Sequence, residues 1–376
     1  QRCLRDLGAE LIPEGPHLRV QGFGRQPKPI TQLNPGNAGA VLRFLIGVTA
    51  ALLPEITFVT DYAQSLGKRP QDDLLTALEA LGARIESRDG KLPIRIQGAN
   101  LRGGVVEVSG AISSQFTSAL LFAAPLIGQD LEIRVTGEIV SQPPLKQTLQ
   151  VMRQAGITVE AEPEGRWYKI PGGQSYQPRT YSVPGDYPGS AALMAAAAIL
   201  PSDVTIERLY EDEQGERDAI SVLQAMGADL VHDGQRVRIR GGRPLKGGSF
   251  DGDRFTDAVL ALTAAALYAE GRTEFYNVAN LRVKECDRIT DYRAELNKLG
   301  ARVTERPDAL IIDGVASLHG GVEANARIDH RVIMGLTVAT LRAEAPVVIR
   351  DAHHIAKSYP AFFDHLRALG ARIEEL

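Results

Sequence analysis

The chain has 376 residues, 44% of them hydrophobic and 23% charged, with 42 basic against 46 acidic side chains and a formal charge of −4. That length predicts two or three domains of ~100–200 residues, and the charge balance excludes a surface built to grip nucleic acid or an anionic membrane. Two cysteines, Cys3 and Cys286, cannot build a disulfide framework and fit a reducing cytoplasm, and no apolar run approaches the ~20 residues of a membrane span.

The predicted elements repeat. An amphipathic helix end is followed by Gly, a strand, a polar turn and a second strand. In chain order the copies read CLRDLGAELIPEGPHLRVQG, ALEALGARIESRDGKLPIRIQG, VMRQAGITVEAEPEGRWYKIPG, VLQAMGADLVHDGQRVRIRG and ELNKLGARVTERPDALIIDG, and HLRALGARIEEL closes the chain. The helix-ending glycines are Gly8, Gly82, Gly156, Gly227, Gly300 and Gly370, with separations of 74, 74, 71, 73 and 70 residues. Leu78 to Gly82 shows the logic: apolar residues share one helical face, and Gly takes the left-handed turn that ends it. Ala83 to Glu86 alternates as a half-buried strand, Asp89-Gly90 marks a hairpin turn, and Ile94-Arg95-Ile96 alternates back.

A period of ~72 residues is too long for common solenoid repeats of ~20–50 and suits a subdomain with helices and a small sheet. Six such units predict an α/β (α+β) chain in two domains of three, residues 1–183 and 184–376, with the hinge at Val183-Pro184-Gly185-Asp186. Six full units would require about 430 residues, so the first repeat is expected to lack roughly one helix-and-strand unit.

Most repeats place polar or charged residues at the start of an apolar helix. In the first half, Asn37-Ala38-Gly39 precedes Arg43, and Gly67-Lys68-Arg69-Pro70 sets two cations before a helix. Ser113-Ser114-Gln115 heads an apolar stretch from Thr117 to Leu126, and Ser141 begins Ser-Gln-Pro-Pro. Each serine is either a helix cap or a ligand contact. In the second half, Asp257 precedes the helix from Ala258 and is either a helix-end acid or a buried general base. Asn280 to Arg288 (NLRVKECDR) is the densest cluster. Placed on a helix, Lys284 and Arg288 share a face with Glu285 beside them; such alternation of sign commonly means a solvated, ion-paired surface, but here the run follows an apolar strand and a short turn, which favours a site. Asp329-His330-Arg331 starts the apolar run Val332 to Leu341, and His353 to Tyr359 with Lys357 precedes the last helix. Adjacent His353 and His354 are expected to point apart, and no Cys/His/Asp spacing completes a metal site. Helix starts carrying Arg43, Arg69, Lys284, Arg288, Arg331 and Lys357, in a chain of net negative charge, imply a pocket for multiply anionic substrates.

These segments resemble a known family. SSQF before an apolar helix, LRVKECDR, DHR and AKSYPAFF, with NAGAVLR, GKRP and the Ser141 segment in the same order, are similar to the motifs of the 5-enolpyruvylshikimate-3-phosphate synthases from Cys3 to the C-terminus. The resemblance implies the enolpyruvyl transferase fold, an inside-out α/β barrel of βαβαββ units in two domains. It also implies transfer of the enolpyruvyl group of phosphoenolpyruvate to the 5-hydroxyl of shikimate 3-phosphate, with release of phosphate, in aromatic amino-acid biosynthesis. Neither a metal nor an organic cofactor is implied, the partners are small-molecule substrates, and the protein is expected to be a monomer. By the same resemblance Ser113, Ser114, Gln115, Ser141, Asp257, Asn280 and Lys284 would hold shikimate 3-phosphate. Gly39, Arg43, Arg69, Gln115, Arg288, Arg331 and Lys357 would hold phosphoenolpyruvate. Asp257 would exchange the hydroxyl proton, Glu285 the methylene proton, with Lys284 beside them, and domain closure would exclude water.

The chain departs from the family pattern in places. Ala40 stands where Thr is usual, Phe44 where some members have Pro, and Pro144 where Tyr is common. A Lys-Ser pair and an Arg that members carry upstream of the first repeat are absent, so an impaired or non-catalytic, ligand-binding remnant is an alternative expectation. UDP-N-acetylglucosamine enolpyruvyl transferase is a further one, but it relies on a loop cysteine, which neither Cys3 nor Cys286 matches.

Overall fold

All six repeat glycines end a helix in the left-handed region: Gly8, Gly82, Gly156, Gly227, Gly300 and Gly370 have φ of 101°, 106°, 80°, 94°, 88° and 101°. A side chain with a Cβ is strained there, which is why the repeat keeps Gly at this place. The computed structural model describes residues 1–140 and 142–376; Ser141 lies outside the described residues. By its own contacts the chain divides into Gln1–Thr180 and Tyr181–Leu376.

The first unit contains helices α1 (Arg2–Asp6), α2 (Gly39–Leu52), α3 (Asp72–Ala80), α4 (Ser114–Ile127) and α5 (Pro143–Gln154). The second contains α6 (Tyr187–Ile199), α7 (Ala219–Ala225), α8 (Val259–Ala266), α9 (Thr290–Lys298), α10 (His330–Thr340) and α11 (Phe362–Ala368). The second repeat runs strand Gln32–Leu33, α2, strand Glu55–Phe58, α3, then the hairpin Arg84–Arg88 and Lys91–Gln97, which is βαβαββ. Its first two strands are parallel neighbours and the hairpin pairs antiparallel against Glu55–Phe58. The third repeat, around α4 and α5, and the fifth, around α8 and α9, build four-stranded sheets with the same order and sense. The first repeat supplies α1 and the hairpin Glu10–Glu14/His17–Gln21, and residues 371–376 after the last repeat glycine form no strand.

Alternation decides which sheet face is covered. Ile94 and Ile96 are fully buried, while Arg95 between them faces outward and pairs with Glu55 and Glu86. The helices form the interior of each unit. Every residue of α8 is buried, as is every residue of α6 except Pro188, as expected of helices apolar on all sides. Small residues permit the close approach. A Cβ on Gly47 of α2 would lie 2.5 Å from the Ala119 carbonyl oxygen of α4, so any larger residue there would force the two helices apart. Among the described residues no helix is long and apolar enough to cross a membrane.

Candidate active site

In the first unit, two of the predicted segments and one further residue meet at one guanidinium. Arg43 sits one turn into α2 and is 3% exposed. Its Nε donates to Gln71 Oε1 at 3.0 Å, and its Nη1 donates to Ser113 Oγ and Gln115 Oε1, both at 3.0 Å. The Phe116 ring lies beneath the guanidinium, 4.8 Å from Cζ to the ring centre. Ser113 caps α4 by accepting from the Gln115 backbone N–H at 3.3 Å, so its hydroxyl serves as a cap and as an acceptor for Arg43. Ser114 is buried behind it. Arg69 follows a short 3₁₀ turn, Leu66–Lys68, and lays its guanidinium over Gly39, the first residue of α2. Asn37, just ahead of that helix, has both side-chain polar atoms buried with no hydrogen-bond partner among the described residues. A buried amide in that state favours a polar ligand.

In the second unit the cluster is organised around Arg288, whose side chain is 2% exposed. Its Nε and Nη2 donate to the two oxygens of Asp329 at 2.8 and 3.2 Å, Nη2 also to Glu285 Oε2 at 2.9 Å, and Nη1 to Asp257 Oδ1 at 2.9 Å. Lys357 Nζ pairs with the other Glu285 oxygen, and Arg331 Nη2 lies 3.6 Å from Asp257 Oδ2. Asp329 is also the N-cap of α10, accepting from the backbone of Arg331 and Val332. Asn280 Nδ2 donates to Asp253 Oδ1 at 3.3 Å.

This corrects the helical reading of the Asn280 to Arg288 run. Ala279–Val283 is a 3₁₀ turn, the chain then bends through Lys284 to Cys286, and α9 begins at Thr290. Lys284 and Arg288 therefore do not share a helix face, although Glu285 and Arg288 do turn inward into a cluster of ion pairs. His353 and His354 also differ from expectation: on the 3₁₀ turn Ala352–Lys357 their rings lie 4.0 Å apart, centre to centre.

Asp257 sits at the end of the 3₁₀ segment Gly252–Ala258, where Phe255 leaves helical geometry and kinks the chain into α8. Burial acts to raise its pKa, but the cations of Arg331, Arg288 and Lys284 outweigh that and hold the carboxyl well below the usual range. Asp257 is thus ionised, and its side chain is still 36% exposed. Arg288, Arg331, Lys357 and Lys284 stand against Asp257, Glu285 and Asp329, with the Glu216 carboxyl beside Asp257 only partly ionised near neutral pH, which leaves the cluster a slight positive excess. His330 adds no charge: burial, with Arg331 and Arg288, pushes its pKa down to about 3.

Two residues of these clusters carry no motif signal. Gln71 is a single polar residue at the start of α3. Glu216 lies in the 3₁₀ turn Gly215–Asp218, and its Oε1 accepts from the Asp257 backbone N–H at 3.3 Å. Burial, together with the negative charge of Asp257, pushes the Glu216 carboxyl up to about 7. Gln214-Gly215-Glu216 lies at the foot of a helix, as the other candidate segments do, which is the one sequence cue it offers.

Elsewhere, a cavity of about 350 Å³ opens on the outer sheet of the second unit, where Arg236, Arg238 and Arg240 are paired with Asp233, Asp203 and Asp229. That face is charge-balanced and far less suited to an anion than the Arg288 cluster. Among the described residues no group of three or more His, Cys, Asp or Glu is arranged to hold a metal ion.

Comparison with known proteins gives a consistent result. A sequence model of the family described as EPSP synthase (3-phosphoshikimate 1-carboxyvinyltransferase) matches residues 1–366. The 3-phosphoshikimate 1-carboxyvinyltransferase of Deinococcus radiodurans is 56% identical over 374 residues, which cover 99% of this chain and 85% of that protein. Its counterpart in Burkholderia pseudomallei is 38% identical, covering 98% and 83%. Among solved structures, an EPSP synthase of Acinetobacter baumannii superposes with a TM-score of 0.80 at 29% identity, over 99% of this chain and 87% of the other. The enolpyruvyl transferase NikO of Streptomyces tendae shares the fold, with a TM-score of 0.78 at 20% identity, covering 99% of this chain and 86% of that one.

Proposed function

This chain belongs to the EPSP synthase family, and from that premise we infer how its residues carry out the 3-phosphoshikimate 1-carboxyvinyltransferase reaction. The enzyme transfers the enolpyruvyl group of phosphoenolpyruvate to the 5-hydroxyl of shikimate 3-phosphate and releases phosphate. The hydroxyl oxygen adds to C2 of the enol while C3 takes a proton, giving a tetrahedral intermediate. Loss of phosphate from C2 and of a proton from the new methyl group restores the double bond.

In this reading Asp257 accepts the hydroxyl proton. The observation that carries it is the Arg288 and Arg331 pairing, which keeps that carboxylate ionised while a third of its surface stays open. Glu285, held between Arg288 and Lys357, moves the proton to and from C3, and Lys284 steadies the developing charge beside it. Ser113, Ser114, Gln115, Asn280 and Lys284 hold shikimate 3-phosphate. Gly39, Arg69, Gln115, Arg288, Arg331 and Lys357 hold phosphoenolpyruvate, where arginine forks match phosphate and carboxylate edges. Arg43, buried and donating to Ser113 and Gln115, serves that face through the side chains it holds. Ser141 stays in the shikimate phosphate set by resemblance alone.

Both cysteines are free thiols, which fits a cytoplasmic enzyme. The family match and the 56% identical relative favour catalysis over a ligand-binding remnant, and they favour this acceptor over UDP-N-acetylglucosamine. The test is release of inorganic phosphate by the purified chain with both substrates present. Release that requires both supports the reading, and none at micromolar enzyme sinks it.

A further inference from the structure

We propose that Gln71 is a positioning residue that locks Arg43 and the Arg69 turn into one geometry, and through Arg43 aims Ser113 and Gln115. The proposal rests on the reading above, in which this face of the first unit holds anionic substrate.

Gln71 occupies the N-cap position of α3, yet its side chain makes no capping hydrogen bond. Ser, Thr, Asp or Asn is preferred there, because a short side chain can reach back to the first free N–H groups. The longer Gln71 turns inward instead and is 0% exposed. Its Oε1 accepts from Arg43 Nε at 3.0 Å, and its Nε2 donates to the Arg69 carbonyl at 2.9 Å. Its backbone is fixed as well: the N–H donates to Gly90 O at 3.0 Å, and the carbonyl accepts from Leu74 and Leu75, both at 3.0 Å. A helix start that forgoes its cap to bridge two arginine segments breaks a local preference, and such breaks concentrate at functional sites.

The consequence is geometric. A guanidinium is planar, so holding Nε on one edge and Nη1 on another fixes the orientation of the plane, with Phe116 beneath it. Fixing that plane fixes what it touches. Gln115 turns its carbonyl oxygen to Arg43, so its amide NH₂ points to the other side as a donor. Ser113 uses one lone pair on Arg43 and another on the α4 cap. On the Arg69 side, the held carbonyl anchors the turn whose guanidinium covers Gly39. Gln71 is also neutral: it orients Arg43 without cancelling its charge, as a glutamate in the same place would.

The experiment compares wild type with Gln71→Met, which keeps length and apolar bulk but neither hydrogen bond, and Gln71→Glu, which keeps the Arg43 acceptor but loses the donor and adds a charge. For each, KM for both substrates, kcat and the melting temperature are measured. Losing both oriented hydrogen bonds is expected to raise both KM values about fivefold to tenfold in Gln71→Met, with kcat falling by less. Gln71→Glu, whose carboxylate would face the Arg69 carbonyl in place of a donor, is expected to raise them further and to lower the melting temperature. Wild-type KM values in either folded variant overturn the proposal, as does a drop in melting temperature with KM unchanged, which marks a structural role only. If Gln71→Met does not fold, Gln71→Glu decides, and if neither folds the positioning role is rejected. Absence of turnover in wild type would instead count against the functional reading.

Discussion

Arg288 Nε donates to Asp329 at 2.8 Å, and neither side chain reaches solvent: one is 2% exposed, the other 0%. A pair sealed in this way is worth little as a net source of stability, because both ions had to leave water, but breaking it strands a charge. Asp329→Ala removes the acceptor of two Arg288 N–H groups and the cap of α10 together. The expected loss is about 3–5 kcal/mol, read by urea unfolding. A loss under about 1 kcal/mol would show that Glu285 and Asp257 suffice for Arg288.

Asp257→Asn keeps the shape of the side chain and removes its basicity. The amide oxygen still accepts from Arg288 Nη1, so the variant should fold and bind substrate while kcat falls by about 10²–10⁴. A kcat within threefold of wild type would remove Asp257 from proton transfer.

Gly39→Ala tests the Arg69 contact. The added Cβ would lie 2.5 Å from Arg69 Nη1, the flexible end of a side chain, so the guanidinium swings away rather than the helix unfolding. Alanine also favours a helix over glycine by up to ~1 kcal/mol. The expected outcome is an unchanged or slightly higher melting temperature with KM for phosphoenolpyruvate raised about tenfold. A lower melting temperature with normal KM would contradict it.

Glu216 makes stability depend on pH in the direction opposite to an ordinary paired carboxylate. Burial first, then Asp257, raises its pKa from 4.5 to about 7, so the folded chain binds this proton more tightly than the unfolded one. The contribution is fully present below pH 4.5 and is lost as pH rises through about 7. Glu216→Gln, neutral throughout, should melt with wild type at pH 4.5 and above it at pH 8. Equal melting at both values would mean Glu216 ionises normally.

Burial raises the pKa of both thiols, and Asp329 raises that of Cys286 further. In native protein at pH 8 neither should react with iodoacetamide within minutes, and both should react in denaturant, as monitored by mass spectrometry. Rapid native labelling of Cys286 would reopen a role for it at the site.

Much of the fold was legible because its signals are local. The six glycines need only backbone sterics, and Arg84 to Gln97 needs only alternation and an Asp-Gly turn, so both were found where expected. Most candidate residues were legible because they stand at helix starts, a position visible in sequence. The Asn280 to Arg288 run was legible as a cluster but not in its backbone, because alternating charge has the same appearance on a helix and on a bent segment. Gln71 and Glu216 went unseen because a single polar residue carries no period. Their roles arise from neighbours 28 and 41 residues away.

Spacing along the chain was therefore enough to settle the repeat, the strand pairs and the kinds of charge available, since these depend on a residue and its near neighbours. It was not enough to settle which charges meet. Arg288 pairs with Asp257 31 residues away and Asp329 41 away, and Glu285 with Lys357 72 away. Coulomb energy and desolvation follow distance in space and the exclusion of water, so the same residues are a solvated surface in one packing and a largely buried network of ion pairs in this one.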